Sequence, residues 1–157
     1  MTECASCGPL SARRRLLLAA FIVQNLEEIL FLPDWAARHA PLLATGTARF
    51  ALATAALTLL AGLALWHDGR RGRSGLTSLV AGALLANAGT HIAMSVWTFS
   101  LMPGAVSGLL LQGPAAGWLL AGLPLSPHAR LGAVALGLAL TPPLAAASLA
   151  LAGLFVV

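Results

Sequence analysis

The chain has 157 residues, 59% of them hydrophobic and only 9% charged, with a mean hydropathy of +0.87. A soluble domain of this length needs a polar face on most of its elements, so these figures exclude one and place the chain in a lipid bilayer. The formal charge of +4 could suit nucleic acid, but all nine basic residues are Arg, set in short clusters between apolar runs with no aromatic stripe, and no nucleic-acid partner is expected.

Residues 1–15 read as a short mobile cytoplasmic tail carrying Cys4 and Cys7 in a CASC motif. One CxxC supplies half of a tetrahedral zinc site and no second pair follows, so a reduced thiol pair is expected. The stretch SARRRLLLAAFIV opens like an export signal, but polar NLEE stands where a small-residue cleavage site belongs. It reads as a retained first helix.

Five apolar segments follow: Leu16–Leu32, Phe50–Trp66, Leu76–Trp97, Val106–Leu125 and Leu131–Val157. Each is near the ~17–25 residues that cross a ~30 Å hydrocarbon core as a helix. Between them PDWAARHAP, HDGRRGRSG, SLMPG and PLSPHAR carry the Pro, Gly and charge of loops, and the short SLMPG link predicts a hairpin of the third and fourth helices. With the N-terminus in the cytoplasm, seven arginines (Arg13, Arg14, Arg15, Arg70, Arg71, Arg73 and Arg130) fall inside and two (Arg38 and Arg49) outside. The expected fold is therefore an all-α bundle of about five transmembrane helices, N-terminus cytoplasmic, in a bacterial cytoplasmic membrane. Thr141, Pro142 and Pro143 predict a kink in the last helix, because each proline removes a backbone donor.

Against this background Glu27 and Glu28 are costly. The first segment holds eleven Leu, Ile, Val or Phe residues, worth roughly −3 to −7 kcal/mol on insertion, while each acid near its middle costs on the order of +2.5 to +3.5 kcal/mol. Gln24 and Asn25 add to the cost. Acids so placed must face the bundle interior with partners, and intramembrane acids are functional candidates by default.

Helix rise supplies those partners. Counted from Leu16, Glu28 lies ~18 Å into the membrane; counted from Leu76, Asn87 lies ~17 Å and His91 ~22 Å in; and Gln112 lies ~14 Å below Pro103. Gln24, Glu27 and Glu28 share one helix face, Asn87 and His91 another. The first, third and fourth helices are thus expected around one polar cluster.

QNLEEILFLPDWAARH, followed by a second helix, then NAGTH and a fourth helix led by Pro-Gly, resembles the HXXEE family of small integral membrane proteins. The resemblance spans roughly residues 16–125 of a single transmembrane domain, 16–157. It implies that Glu27, Glu28, Asn87 and His91 hold the family's Glu, Asn and His positions. Gln24 stands where the motif has its first His, and an amide cannot shuttle a proton as an imidazole does. The family implies an architecture and a site more than a reaction.

Three readings follow. In the first, an intramembrane enzyme acts on an apolar, lipid- or isoprenoid-like substrate: Glu28 is the acid/base, Glu27 its partner, His91 a proton relay and Asn87 an orienting group, with Gln24, Asn25 and Gln112 toward the substrate. A variant of it lets Glu27, Glu28 and His91 hold a divalent metal. In the second, the same acids serve a transporter or cation pathway. In the third they form a hydrogen-bond network that only fixes the helices. His39, His67 and His128 are expected outside the site, and Trp35, Trp66, Trp97 and Trp118 in interfacial belts.

Overall fold

Backbone in lipid has no water to bond, so a long apolar run satisfies its N–H and C=O groups within its own helix. The computed structural model, which describes residues 7–41 and 44–156, has five such helices: α1 (Cys7–His39), α2 (Thr47–Arg71), α3 (Gly75–Trp97), α4 (Ala105–Gly122) and α5 (Pro127–Ala152). All five are long and apolar enough to span a membrane. The chain is an all-helical, multi-pass membrane protein, with no strand among the described residues. Leu30, Phe31, Leu59, Leu110 and Leu131 are exposed on its outer surface, as lipid-facing positions should be. The side chains of the CASC motif lie outside the described residues.

Two helices run beyond their expected ends. α1 continues through Pro33 to His39 because tertiary contacts outweigh the lost hydrogen bond: Trp35 is 4% exposed, donates from Nε1 to Ser100 Oγ at 3.1 Å and stacks on His39. Trp35 is therefore a packed residue, not a belt anchor. α2 extends to Arg71 and stops at Gly72, whose φ of 62° is left-handed. Just before that stop, Asp68 is buried and accepts from the Thr77 backbone N–H at 2.8 Å, tying the end of α2 to the start of α3. Trp66 and Trp97 stay exposed.

Pro142 and Pro143 do not break α5, which runs unbroken from Pro127 to Ala152. Thr141 Oγ1 donates to the Gly137 carbonyl at 2.8 Å in this stretch. α3 and α5 form the most extensive helix pair, and small residues let them meet backbone to backbone. A Cβ at Gly82 would overlap the Ala133 carbonyl, and one at Gly137 would overlap the Ala83 backbone. We therefore expect Gly137→Val to destabilise the protein by about 1–3 kcal/mol or more. Thermal unfolding in detergent reads this directly, and an unchanged midpoint would show that α3 and α5 are not packed at this point.

α4 begins after a Pro103–Gly104 turn and contains one π-helical turn, Gly108–Gln112. The wide turn directs Gln112 inward, where it is fully buried and donates from Nε2 to the Leu84 carbonyl of α3 at 2.8 Å. α4 is thereby pinned beside the polar residues of α1 and α3.

Candidate functional site

Four closely spaced polar residues on α1, Gln24, Asn25, Glu27 and Glu28, fan out to different neighbours. Gln24 and Glu28, one turn apart, point into the bundle, where they are 0% and 8% exposed. Asn25 turns toward α2 and donates from Nδ2 to Thr58 Oγ1 at 2.6 Å. Glu27 turns toward the start of α4, where its Oε1 accepts from the Gly104 backbone N–H at 2.9 Å. The helical spacing that places these residues together also separates their roles.

Glu28 is the centre of the cluster. Its Oε1 accepts from Gln24 Nε2 at 2.8 Å and lies 3.1 Å from His91 Nε2. The other ring nitrogen, His91 Nδ1, is 2.7 Å from the Pro103 carbonyl. A carbonyl only accepts, so Nδ1 carries a hydrogen. A hydrogen bond between His91 Nε2 and Glu28 is then open in two forms, a carboxylic acid donating to a neutral ring or an imidazolium donating to a carboxylate. Glu28 and His91 thus form a dyad joined directly through one contact.

The Pro103–Gly104 turn closes one side of the dyad. Gly104 has a φ of 86°, and a Cβ there would stand 2.9 Å from Glu28 Oε1 and 2.9 Å from both Cε1 and Nδ1 of His91. Only glycine allows backbone this close in this conformation. Pro103 fixes the ring with its carbonyl while Gly104 holds Glu27 with its N–H. Sequence reasoning took SLMPG as a loop and missed this contribution, because its polar groups are main-chain atoms that every loop possesses.

A cavity of about 350 Å³ opens on the other side of Glu28, between α1, α2, α3 and α5. Phe, Leu, Val and Ala dominate its walls, and Glu28, Asn25, Asn87, Thr54, Thr141 and Ser148 supply its polar points. α2 and α5 were not expected at the site, yet they form much of the wall. A trace was legible in α2, where Thr54 and Thr58 stand one turn apart in an otherwise apolar helix and each hydroxyl donates to the carbonyl one turn back.

The residues expected at the site therefore divide. Glu28 and His91 come together, whereas Glu27, expected as the partner of Glu28, is turned to Gly104. Asn87 faces the cavity with Asn25, one turn before His91. Gln24 and Gln112, expected toward the substrate, are fully buried and do not line the cavity. Gln24 Oε1 lacks a hydrogen-bond partner and sits where a Cβ at Gly108 would come within 3.4 Å. Trp118, half exposed, lies under the Arg13 guanidinium at 4.5 Å and not at the cavity. His39, His67 and His128 do not line the cavity either.

For a divalent metal, Glu27, Glu28 and His91 were the nominated ligands. Among the described residues no three His, Cys, Asp or Glu side chains are grouped to hold one. Glu27 is turned to Gly104, and both His91 nitrogens face oxygen atoms of the protein. This donor set is arranged for hydrogen bonding.

Residues 15–119, two thirds of the chain, match the family described as a protein of unknown function with HXXEE motif. The chain belongs to the HXXEE family. In this HXXEE protein the motif positions fall on Gln24, Glu27 and Glu28, so the paired acids are present and the first His is replaced by an amide. That amide is hydrogen-bonded to the second acid at 2.8 Å. The matched stretch runs from the start of the first span through most of α4, and so includes His91 and the Pro-Gly turn. No curated protein and no solved structure matches the chain.

Proposed function

We propose that this HXXEE protein is an intramembrane enzyme using Glu28 and His91 for acid/base chemistry on an apolar, lipid- or isoprenoid-like substrate. One observation carries the reading: Glu28 Oε1 lies 3.1 Å from His91 Nε2, and the same carboxyl group lines a largely apolar cavity. A carboxyl group so placed can pass the proton of the dyad to a bound molecule, leaving a carboxylate beside a neutral imidazole held by Pro103, and take a proton back from the substrate later in the turnover. In this reading Asn25 and Asn87 orient the substrate's polar atom. Glu27 is a positioning residue that keeps the Gly104 turn against the dyad, and Gln24 fixes the Glu28 carboxylate.

A purely structural network would account for Gln24, Glu27 and Gln112, whose side chains turn to protein groups. Asn25 and Glu28 also bond protein groups, but such a network does not account for their lining, with Asn87, one cavity. The transport reading requires a polar route away from the site, whereas on one side the contacts from Glu28 end at the Pro103 carbonyl and on the other the cavity walls are predominantly apolar. We assign the protein to a bacterial cytoplasmic membrane, with the arginine-rich end inside. That assignment rests on the arginine distribution, and membrane fractionation with accessibility labelling of engineered cysteines tests it.

Turnover tests the reaction class. Proteoliposomes made with a total lipid extract should show one lipid species consumed and another formed, followed by mass spectrometry. Glu28→Gln should slow this by roughly 10²- to 10⁴-fold, the usual contribution of a general acid/base. A conversion that persists unchanged in Glu28→Gln would remove the dyad from the chemistry.

A further inference from the structure

At the arginine-rich end of the bundle, α1, α2 and the turn between α4 and α5 enclose a groove of about 800 Å³, which none of the residues of the Glu28 site lines. Arg14, Arg15, Arg70 and Arg73 line it together with Leu18, Leu65 and Trp66. The arginines come from the outer ends of the helices and the leucines from further in. The groove is therefore cationic at headgroup depth and apolar below.

Two of its guanidiniums, those of Arg14 and Arg70, are held in place without carboxylate partners. Arg14 Nη2 donates to the Arg73 carbonyl at 3.1 Å. Arg14 also passes over Gly69, where a Cβ would meet its Nη1 at 3.2 Å, and its Nε is buried with no hydrogen-bond partner. Arg70 lies 5.3 Å from the centre of the Trp66 ring. The nearby acid Asp68 is 2% exposed and accepts from the Thr77 N–H. Among the described residues the ion pairs involve His67 with Asp68 and His91 with Glu28, and none involves an arginine. Topology alone asks for positive charge at this end. It does not ask for four arginines around one groove with an apolar floor.

We propose that this groove binds the phosphate headgroup of an anionic phospholipid. Arginine forks match phosphate oxygens, and Leu18, Leu65 and Trp66 lie where the first carbons of an acyl chain would run. A free phosphate would use the same guanidiniums but gain nothing from the apolar floor, so the two sources can be told apart. The proposal is independent of any chemistry at Glu28.

Native mass spectrometry of the full chain in detergent, titrated separately with phosphatidylglycerol, phosphatidylcholine and inorganic phosphate, tests it. Phosphatidylglycerol should bind one to one and at least roughly tenfold more tightly than either other ligand. Arg14→Gln/Arg70→Gln should weaken it by roughly tenfold or more, on the basis of two lost cationic contacts. Arg71→Gln, exposed at the same end but outside the groove, should bind as the wild type does. If the double variant does not fold, the single Arg70→Gln carries the comparison, with a loss of several-fold expected. Equal binding of phosphatidylcholine, phosphate as tight as lipid, or an equal loss in Arg71→Gln would each overturn the proposal.

Discussion

Gly104→Ala should destabilise the protein by about 2–5 kcal/mol, from left-handed strain of about 1–2 kcal/mol and overpacking of about 1–3 kcal/mol. The backbone at Gly104 has a φ of 86°, and the new methyl group would meet Glu28 Oε1 and the His91 ring at 2.9 Å. Neither partner yields easily, because Glu28 is held by Gln24 and His91 is held by Pro103. Gly72 provides the control: its φ is 62°, but a Cβ there meets nothing within 4 Å. Gly72→Ala should therefore cost the strain alone. Thermal unfolding of both variants in the same detergent separates the two contributions. Equal losses would mean that the Pro-Gly turn does not press on the dyad.

The second large effect distinguishes two substitutions at Glu28. Glu28→Ala leaves Gln24 Nε2 and His91 Nε2 without their common acceptor inside the membrane, at a cost of about 2–5 kcal/mol. Glu28→Gln can put its amide nitrogen at the shared Oε1 position, donating one N–H to the neutral His91 Nε2 and the other to Gln24 once that amide flips to present its otherwise unpartnered Oε1, so it should stay within about 1 kcal/mol of the wild type. Glutamine nevertheless cannot carry the proton of the dyad. The pair therefore separates the structural duty of position 28 from its chemical one: Gln should fold and fail to turn over, whereas Ala should fail at both. Denaturant unfolding of the three proteins, with ¹⁵N spectra of His91, decides. In Glu28→Gln the ring should carry its hydrogen on Nδ1 alone, facing Pro103. If Gln destabilises as strongly as Ala, the fold depends on the carboxylate charge itself, and the dyad is an ion pair holding helices together.

Much of this protein follows from its sequence without any coordinates. Runs of Leu, Ala and Val longer than the hydrocarbon thickness have few solutions in lipid, and the helices α1 to α5 realise one of them. The insertion cost of Glu27 and Glu28 required both to find partners, and a constant rise per residue brought Glu28 to the depth of His91. Helical spacing also put Gln24, Glu27 and Glu28 on one face of the first helix.

The cavity and its closure were decided by tertiary structure. Ala, Leu and Gly lie on every face of α2 and α5, so no stripe announced that these helices would line the site. Gln112 looked as eligible as Asn87, but the π-turn of α4 aimed it at Leu84 and away from the cavity. Pro33 looked like a helix end until burial of Trp35 carried α1 past it. The contacts that orient the dyad come from the Pro103 carbonyl and the Gly104 N–H, groups that nearly every residue has. A sequence specifies side chains, so it can show that a buried acid needs a partner, whereas which main-chain atoms come within 3 Å of it is set only when the helices pack.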